Sequence, residues 1–201
     1  MWNAVLALLF PRACIGCERD GVLLCERCAR AGGEAQRIVL GGISMRAALP
    51  YDGALRTAIV EFKRGRRSFA PDLAALLEPL VERSMTLVPI PTTPRRIAER
   101  GYDQTVLLSR LLQVQCGVDV AEMLRRPSNA AQQGRSRSER IATTGRFAVN
   151  TKLVEPRGNL VLFDDVRTTG ATLLDAAGAL RESKYDVCDA VTLAWTPLVN
   201  T

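Results

Sequence analysis

Leu160-Val161-Leu162-Phe163-Asp164-Asp165-Val166-Arg167-Thr168-Thr169-Gly170-Ala171-Thr172 is the stretch on which the fold turns. The apolar run that follows Asn159 reads as a buried strand, two carboxylates leave its end, and a hydroxyl-rich turn leads into a helix over 172–183. A strand handing the chain directly to a helix is the unit of α/β sheets, where ligands sit beyond the carboxyl ends of the strands. The free N–H groups and dipole of a helix N-terminus favour an anion such as a phosphate. Gly170 lets backbone approach such a ligand, Thr168, Thr169 and Thr172 offer hydroxyls, and Asp164 and Asp165 can accept hydrogen bonds from vicinal sugar hydroxyls. Together they describe a pocket for ribose 5-phosphate. A threonine cap beside a solvated acid pair would explain Thr168 or Thr169, but not the whole string.

Outward from this stretch, strands and helices alternate. A strand is expected at 187–195, another at 86–90, and a hairpin or pair of short strands within 37–50 around Gly41-Gly42. Leu55, Ile59 and Phe62 recur at helical spacing from Gly53 to Lys63-Arg64-Gly65, and helices are also expected over 72–83 and 103–115, the last stopped by Gly117. Residues 118–124 and 147–150 read as extended. The segment 125–146 has Ile141 as its one large aliphatic residue and reads as a mobile loop with a short helix near 138–142. The pattern predicts an α/β fold with a mostly parallel sheet flanked by helices over 37–201, preceded by a small module over 1–36.

With 201 residues, 47% hydrophobic and 24% charged, the chain suits one domain with a small appendage, and wholesale disorder or a membrane protein is disfavoured. The apolar stretch 4–10 lacks a basic flank and runs into Pro11-Arg12-Ala13-Cys14. It reads as a short packed helix rather than a signal peptide, so a cytoplasmic protein without stable membrane insertion is expected. The absence of histidine excludes Ser-His-Asp and Cys-His catalysis and every His-ligated metal, leaving Cys, Asp or Glu to hold any ion. None of Lys63, Lys152 and Lys184 follows a glycine, which excludes a Walker A loop, and neither G-x-G-x-x-G nor G-x-S-x-G occurs.

The net charge is +6, and all but three of the 27 basic residues are arginine. Guanidinium suits phosphate through two-pronged hydrogen bonds, although a GC-rich genome produces the same bias. Lys63, Arg64, Arg66 and Arg67 form one cluster, and 125–146 carries six arginines against one glutamate. Such clusters are polyanion contacts or solvated loops.

Near the amino terminus, Cys14-Ile-Gly-Cys17 and Cys25-Glu-Arg-Cys28 form two C-x2-C pairs. Each pair can make a tight knuckle aiming both sulfurs at one tetrahedral centre, the signature of a closed structural Zn2+ site. Two disulfides or four free thiols are the alternatives. Cys116 and Cys188 lack such partners and read as core thiols.

The stretch from 160 to 172 resembles the PRPP-binding loop of type I phosphoribosyltransferases: a hydrophobic strand, two acids, two variable residues, then Thr-Thr-Gly-x-Thr. The four-cysteine knuckle, Phe62-Lys63-Arg64-Gly65, Val88-Pro-Ile-Pro91, Arg100-Gly-Tyr-Asp-Gln104 and the 133–140 loop extend the resemblance, in that order, to the ComF family of competence proteins. Asp103 stands where that family usually has Asn, and Arg167 where a small apolar residue or Ile is common. The resemblance implies a phosphoribosyltransferase-like domain after a zinc module, in a protein associated with DNA uptake. It implies that Asp164 and Asp165 hold the ribose hydroxyls and that Thr168, Thr169, Gly170, Ala171 and Thr172 hold the 5-phosphate. It places pyrophosphate by Pro91 to Arg96, with Arg95 and Arg96 to neutralise it, unless these two merely decorate a helix start. Arg135, Arg137 and Arg140 fall on the counterpart of a flexible flap, or on a plain linker. The reaction implied is displacement of pyrophosphate from PRPP by a nitrogen nucleophile, assisted by Mg2+. A non-catalytic DNA-uptake factor that binds single-stranded DNA and the uptake machinery is the alternative.

Overall fold

The computed structural model describes residues 12–126, 147–150 and 158–197. The expected short helix at 4–10, Arg135, Arg137, Arg140 and the rest of 127–146 lie outside the described residues.

A four-cysteine turn leads into helix α1 (Glu26–Arg30), followed by strands β1 (Gln36–Leu40) and β2 (Ile43–Pro50). Gly41 and Gly42 both have positive φ, 56° and 73°, the combination that a tight two-residue hairpin demands of its central pair. Helix α2 (Gly53–Lys63) is capped by Asp52, whose carboxylate accepts from Gly53 N at 2.8 Å. Helix α3 (Ala70–Ala75) and strand β3 (Met85–Pro89) come next, then α4 (Pro94–Arg100) and α5 (Gln104–Cys116). The short strands β4 (Asp119–Val120), β5 (Leu124–Arg125) and β6 (Ala148–Val149) precede β7 (Asn159–Arg167), helix α6 (Ala171–Glu182) and β8 (Asp189–Trp195).

The main sheet has the order β1-β2-β8-β7-β3-β4, parallel throughout except for the β1–β2 hairpin. Strand β7 lies inside it, with Phe163 beside Pro89 on one neighbour and Val191 on the other. Its apolar run is continuous because both faces are covered. Val161 and Phe163 join a core with Leu55, Ile59 and Phe62 of α2 and Leu108 and Leu112 of α5. Leu160 and Leu162 face the other way, against Leu173, Ala176 and Leu180 of α6. The α/β class with a mostly parallel, helix-flanked sheet and an amino-terminal cysteine cluster is therefore the observed fold.

Three elements differ from the sequence expectation. The helix foreseen over 72–83 is a six-residue α3 followed by a 3-10 turn, Glu78–Leu80. Pro79 removes a backbone donor and disfavours helical geometry at Glu78, which ends the run. The extended stretch at 118–124 is interrupted, β4 pairing with β3 while β5 pairs with β6. Strand β7 continues past Phe163 to Arg167, so the acid pair belongs to the strand itself. Gly158, with φ at +75°, is required at the entry to β7, since a Cβ there would sit 2.3 Å from Ser84 O.

Candidate functional site

The carboxyl ends of β7 and β3 bring the acid pair, the threonine turn and α4 to one end of the sheet. Asp165 is buried, and its Oδ2 lies 2.9 Å from Nζ of Lys63, the last residue of α2. The contact is an ion pair, because Oδ2 has no aligned hydrogen-bond donor. Asp164 Oδ1 accepts from Asp165 N at 2.8 Å. The Asp164 carboxyl still reaches solvent in part, yet it is pushed from an ordinary 3.8 up to about 8. Burial is the main cause and the neighbouring Asp165 carboxylate adds to it, while the Asp165 N–H and the charges of Lys63 and Arg126 pull the other way. The pair thus combines a carboxylate held against an internal cation with a carboxyl that keeps its proton near neutrality.

Beyond the acids, Thr168 and Thr169 are exposed, and Gly170 at φ 81° caps α6 without a side-chain hydrogen bond. Thr169 Oγ1 accepts from Ala171 N at 3.3 Å, and Thr172 lies in the first helical turn. A Cβ on Gly170 would approach Leu40 to 3.0 Å and Met45 to 3.3 Å, so the loop packs directly on the hairpin strands. The turn leaves backbone donors and hydroxyls at the positive end of a twelve-residue helix, an arrangement suited to a phosphate.

Arg95 and Arg96 are both exposed in the first turn of α4, whose N-cap Thr93 accepts from Arg96 N at 3.4 Å. Arg95 pairs with Glu99 one turn along at 2.8 Å. They occupy the sheet end of the acids, but the structure forms no contact between them and the pair. Asp103 has a defined role: one carboxylate oxygen accepts from Thr92 N at 2.8 Å and the other from Thr105 N at 3.0 Å. It caps α5 and fixes the turn after β3 together. Asparagine at this position would offer only one acceptor oxygen and would leave one of these N–H groups facing a donor.

Sequence reasoning missed Lys63 and Arg126 as neighbours of the acids. Arg126 donates from Nε to Pro91 O at 2.8 Å and stacks over Phe147 at 4.7 Å. Lys63 is placed by two of the motifs that carried the family resemblance. The Tyr102 hydroxyl donates to Phe62 O, the two rings lie 5.3 Å apart, and Arg67 covers Tyr102 while donating to Gly101 O. The Lys63–Arg67 cluster is thereby largely spent within the fold, with Lys63 on Asp165 and both Arg64 and Arg66 on Glu61.

At the amino terminus, the Sγ atoms of Cys14, Cys17, Cys25 and Cys28 lie within 4.8 Å of one another. Cys14 and Cys17 are 3.6 and 3.7 Å from Cys25. A tetrahedron of four sulfurs at the usual Zn–S length has edges of about 3.8 Å, so these residues fit a metal ion such as zinc. Burial opposes ionisation of Cys14, but the N–H groups of Cys25, Gly16 and Cys17 bring its thiol down to about 6. Crowding against Cys17 and Cys25 drives Cys28 up to about 12. A cation in their midst would relieve this crowding. The turn is tied to the main body through Asp72, whose Oδ2 accepts from Leu23 N at 2.7 Å and Leu24 N at 3.1 Å.

Comparison with known proteins adds a relationship to this geometry. The chain is similar to competence protein ComFC. It is 30% identical over 149 residues to ComFC of Streptococcus pneumoniae (strain ATCC BAA-255 / R6), a match covering 69% of this chain and 64% of that protein. It is also 30% identical over 151 residues to ComFC of Bacillus subtilis (strain 168), covering 68% and 58%. The chain thus spans about three fifths of the length of the curated relatives it matches. No protein-family model matches it. Among the described residues, no helix is long and apolar enough to cross a membrane.

Proposed function

We propose that this is a cytoplasmic, phosphoribosyltransferase-like protein of the ComF family that binds PRPP and acts in competence. The reading rests above all on one observation: two adjacent acids lie near the carboxyl end of a central parallel strand, which passes through Thr168-Thr169-Gly170 into the N-terminus of α6. Asp165 accepts from one ribose hydroxyl and Asp164 engages the other. Thr168, Thr169, Thr172 and the backbone N–H groups of Gly170 and Ala171 receive the 5-phosphate. Arg95 and Arg96, in the first turn of the helix that follows β3, the strand next to the acids, meet the pyrophosphate.

In the transfer reaction, a nitrogen nucleophile forms a bond to C1 as the bond from C1 to the pyrophosphate oxygen breaks. Pyrophosphate leaves with the electron pair, and the nitrogen loses its proton. The protein's part is positioning and charge rather than covalent chemistry. Mg2+, which the acids' hard oxygen donors suit, would travel with PRPP and neutralise its pyrophosphate. Zn2+ on the four cysteines is structural, and residues 1–36 form its module beside the sheet domain over 37–201.

The test is titration calorimetry of the metal-loaded protein with PRPP and Mg2+, beside the Asp164→Asn/Asp165→Asn double variant. Saturable heat lost in the variant supports the reading, and pyrophosphate release with a panel of nitrogen acceptors then assays transfer. Absence of heat and of any thermal shift at millimolar PRPP refutes it.

A further inference from the structure

The turn that follows β3 is held at four successive backbone polar groups. Ile90 N donates to Phe163 O at 2.8 Å, which seats the turn beside Asp164. Ile90 O accepts from Thr105 Oγ1 at 2.7 Å, Pro91 O accepts from Arg126 Nε at 2.8 Å, and Thr92 N donates to Asp103 Oδ2 at 2.8 Å. Thr93 then caps α4, the helix whose first turn carries Arg95 and Arg96. Phe163 belongs to β7, and Asp103 and Thr105 to the start of α5. Arg126 belongs to neither element: it follows β5, and its guanidinium carbon lies 4.7 Å from the ring centre of Phe147, a side chain buried to 1% exposure. The chain beside it is fixed as well, with Arg125 opposite Ala148 in the β5–β6 pair. A carbonyl on one side and an aromatic face on the other hold this long side chain in one place. That place is at the acids, since the Arg126 charge acts on the Asp164 carboxyl.

Water could satisfy a half-buried carbonyl such as that of Pro91. An arginine clamped over a ring does more, because it fixes where that carbonyl stands. We infer that Arg126 is a positioning residue of the diphosphate subsite: its Nε–H bond to the Pro91 carbonyl fixes the turn that sets α4, and with it Arg95 and Arg96, against the acids. The inference rests on the phosphoribosyl reading and deepens it by naming a residue that separates PRPP from ribose 5-phosphate. The turn that Arg126 holds serves the diphosphate, which ribose 5-phosphate lacks, whereas the sugar and its 5-phosphate are met by residues 164–172. A displacement of about 1 Å in a positioning element costs up to about a hundredfold in rate, and a loss of about tenfold in affinity for the diphosphate-bearing ligand is expected here.

Two neutral variants separate the bond from the charge. Glutamine carries an N–H donor on Cδ where arginine carries Nε, whereas methionine has similar length and no donor. Arg126→Met is expected to bind PRPP with Mg2+ about tenfold more weakly than the wild type, while keeping its affinity for ribose 5-phosphate. Arg126→Gln should recover most of the lost PRPP affinity. Titration calorimetry of the metal-loaded proteins with each ligand reads all three, and thermal melts establish that each is folded. If the wild type binds PRPP and Arg126→Met binds it equally well, the inference falls while the phosphoribosyl reading stands. If Arg126→Met loses PRPP and ribose 5-phosphate to the same extent, Arg126 merely supports the fold, and the inference is overturned. If Arg126→Gln binds PRPP as weakly as Arg126→Met, the charge rather than the bond to Pro91 is at work, and the positioning role is likewise overturned. If the wild type binds neither ligand, the phosphoribosyl reading falls and takes the inference with it. Should Arg126→Met not fold, Arg126→Lys, whose ammonium lies one bond beyond the Nε position, replaces it with the same expectation and the same refutations.

Discussion

Replacing Lys63 by methionine tests the internal ion pair directly. The substitution keeps most of the apolar stem and removes the charge, leaving Asp165 Oδ2 buried without a counter-charge. Breaking a fully buried pair from one side costs about 3–5 kcal/mol. The Asp165 side chain is 8% exposed but that of Lys63 is 28% exposed, so water already screens part of the attraction. A discounted loss of about 2 kcal/mol follows. In a chain of this size, that lowers the melting temperature by about 4–8 °C. Asp165→Asn should cost less, because a partly exposed ammonium can turn to water whereas a buried carboxylate cannot. Urea unfolding of the two single variants and the double variant gives the coupling energy. A coupling under about 0.5 kcal/mol, or Asp165→Asn proving the more damaging change, would refute this account of the site.

The remaining predictions concern the other acid and the thiols. Because Asp164 has a folded-state pKa raised from 3.8 to about 8, folding favours its protonated form. Its contribution is most favourable below about pH 4 and is lost as pH rises toward 8, so Asp164→Asn should gain stability over the wild type across that window. Melting curves from pH 4 to 9 check this, and a constant gap between the two proteins refutes it. Cys25→Ser should abolish stoichiometric metal binding and lower the melting temperature, as read by elemental analysis and calorimetry. A metal-free variant of unchanged stability would remove the structural role of the four cysteines.

Local rules made much of this architecture legible. Gly41-Gly42 marked a hairpin or a pair of short strands, Gly117 marked the stop of α5, and the apolar run 160–163 read as a buried strand. Where the reading slipped, the competing signal was also local: Leu73, Leu76, Leu77 and Leu80 keep helical spacing, but Pro79 overrides the pattern. The acid pair and the threonine turn were visible because they are contiguous. Lys63, Arg126 and the Arg167–Gln36 contact were not, since each joins segments distant in sequence and no periodicity reports what a folded sheet brings together. The basic run from Lys63 to Arg67 read as a polyanion contact or a solvated loop. Its charges are instead mostly absorbed by Asp165, Glu61 and the Gly101 carbonyl, a matter of tertiary pairing that composition cannot carry.

The seat of the cysteine turn has a practical corollary. Leu24 and Ala29 share one apolar core with α2 and α3, a Cβ on Gly16 would come within 3.0 Å of Ala54, and Asp72 receives the N–H groups of Leu23 and Leu24. A shortened chain beginning at Arg37 would lose all of these at once. It would carry an uncapped Asp72 and a bare greasy seat on the flank of α2, whose far end holds Lys63 at the acids. Such a fragment would be an amputated protein rather than a minimal one, prone to stick to itself, and a failed assay on it would say nothing about the site at the other end of the helix.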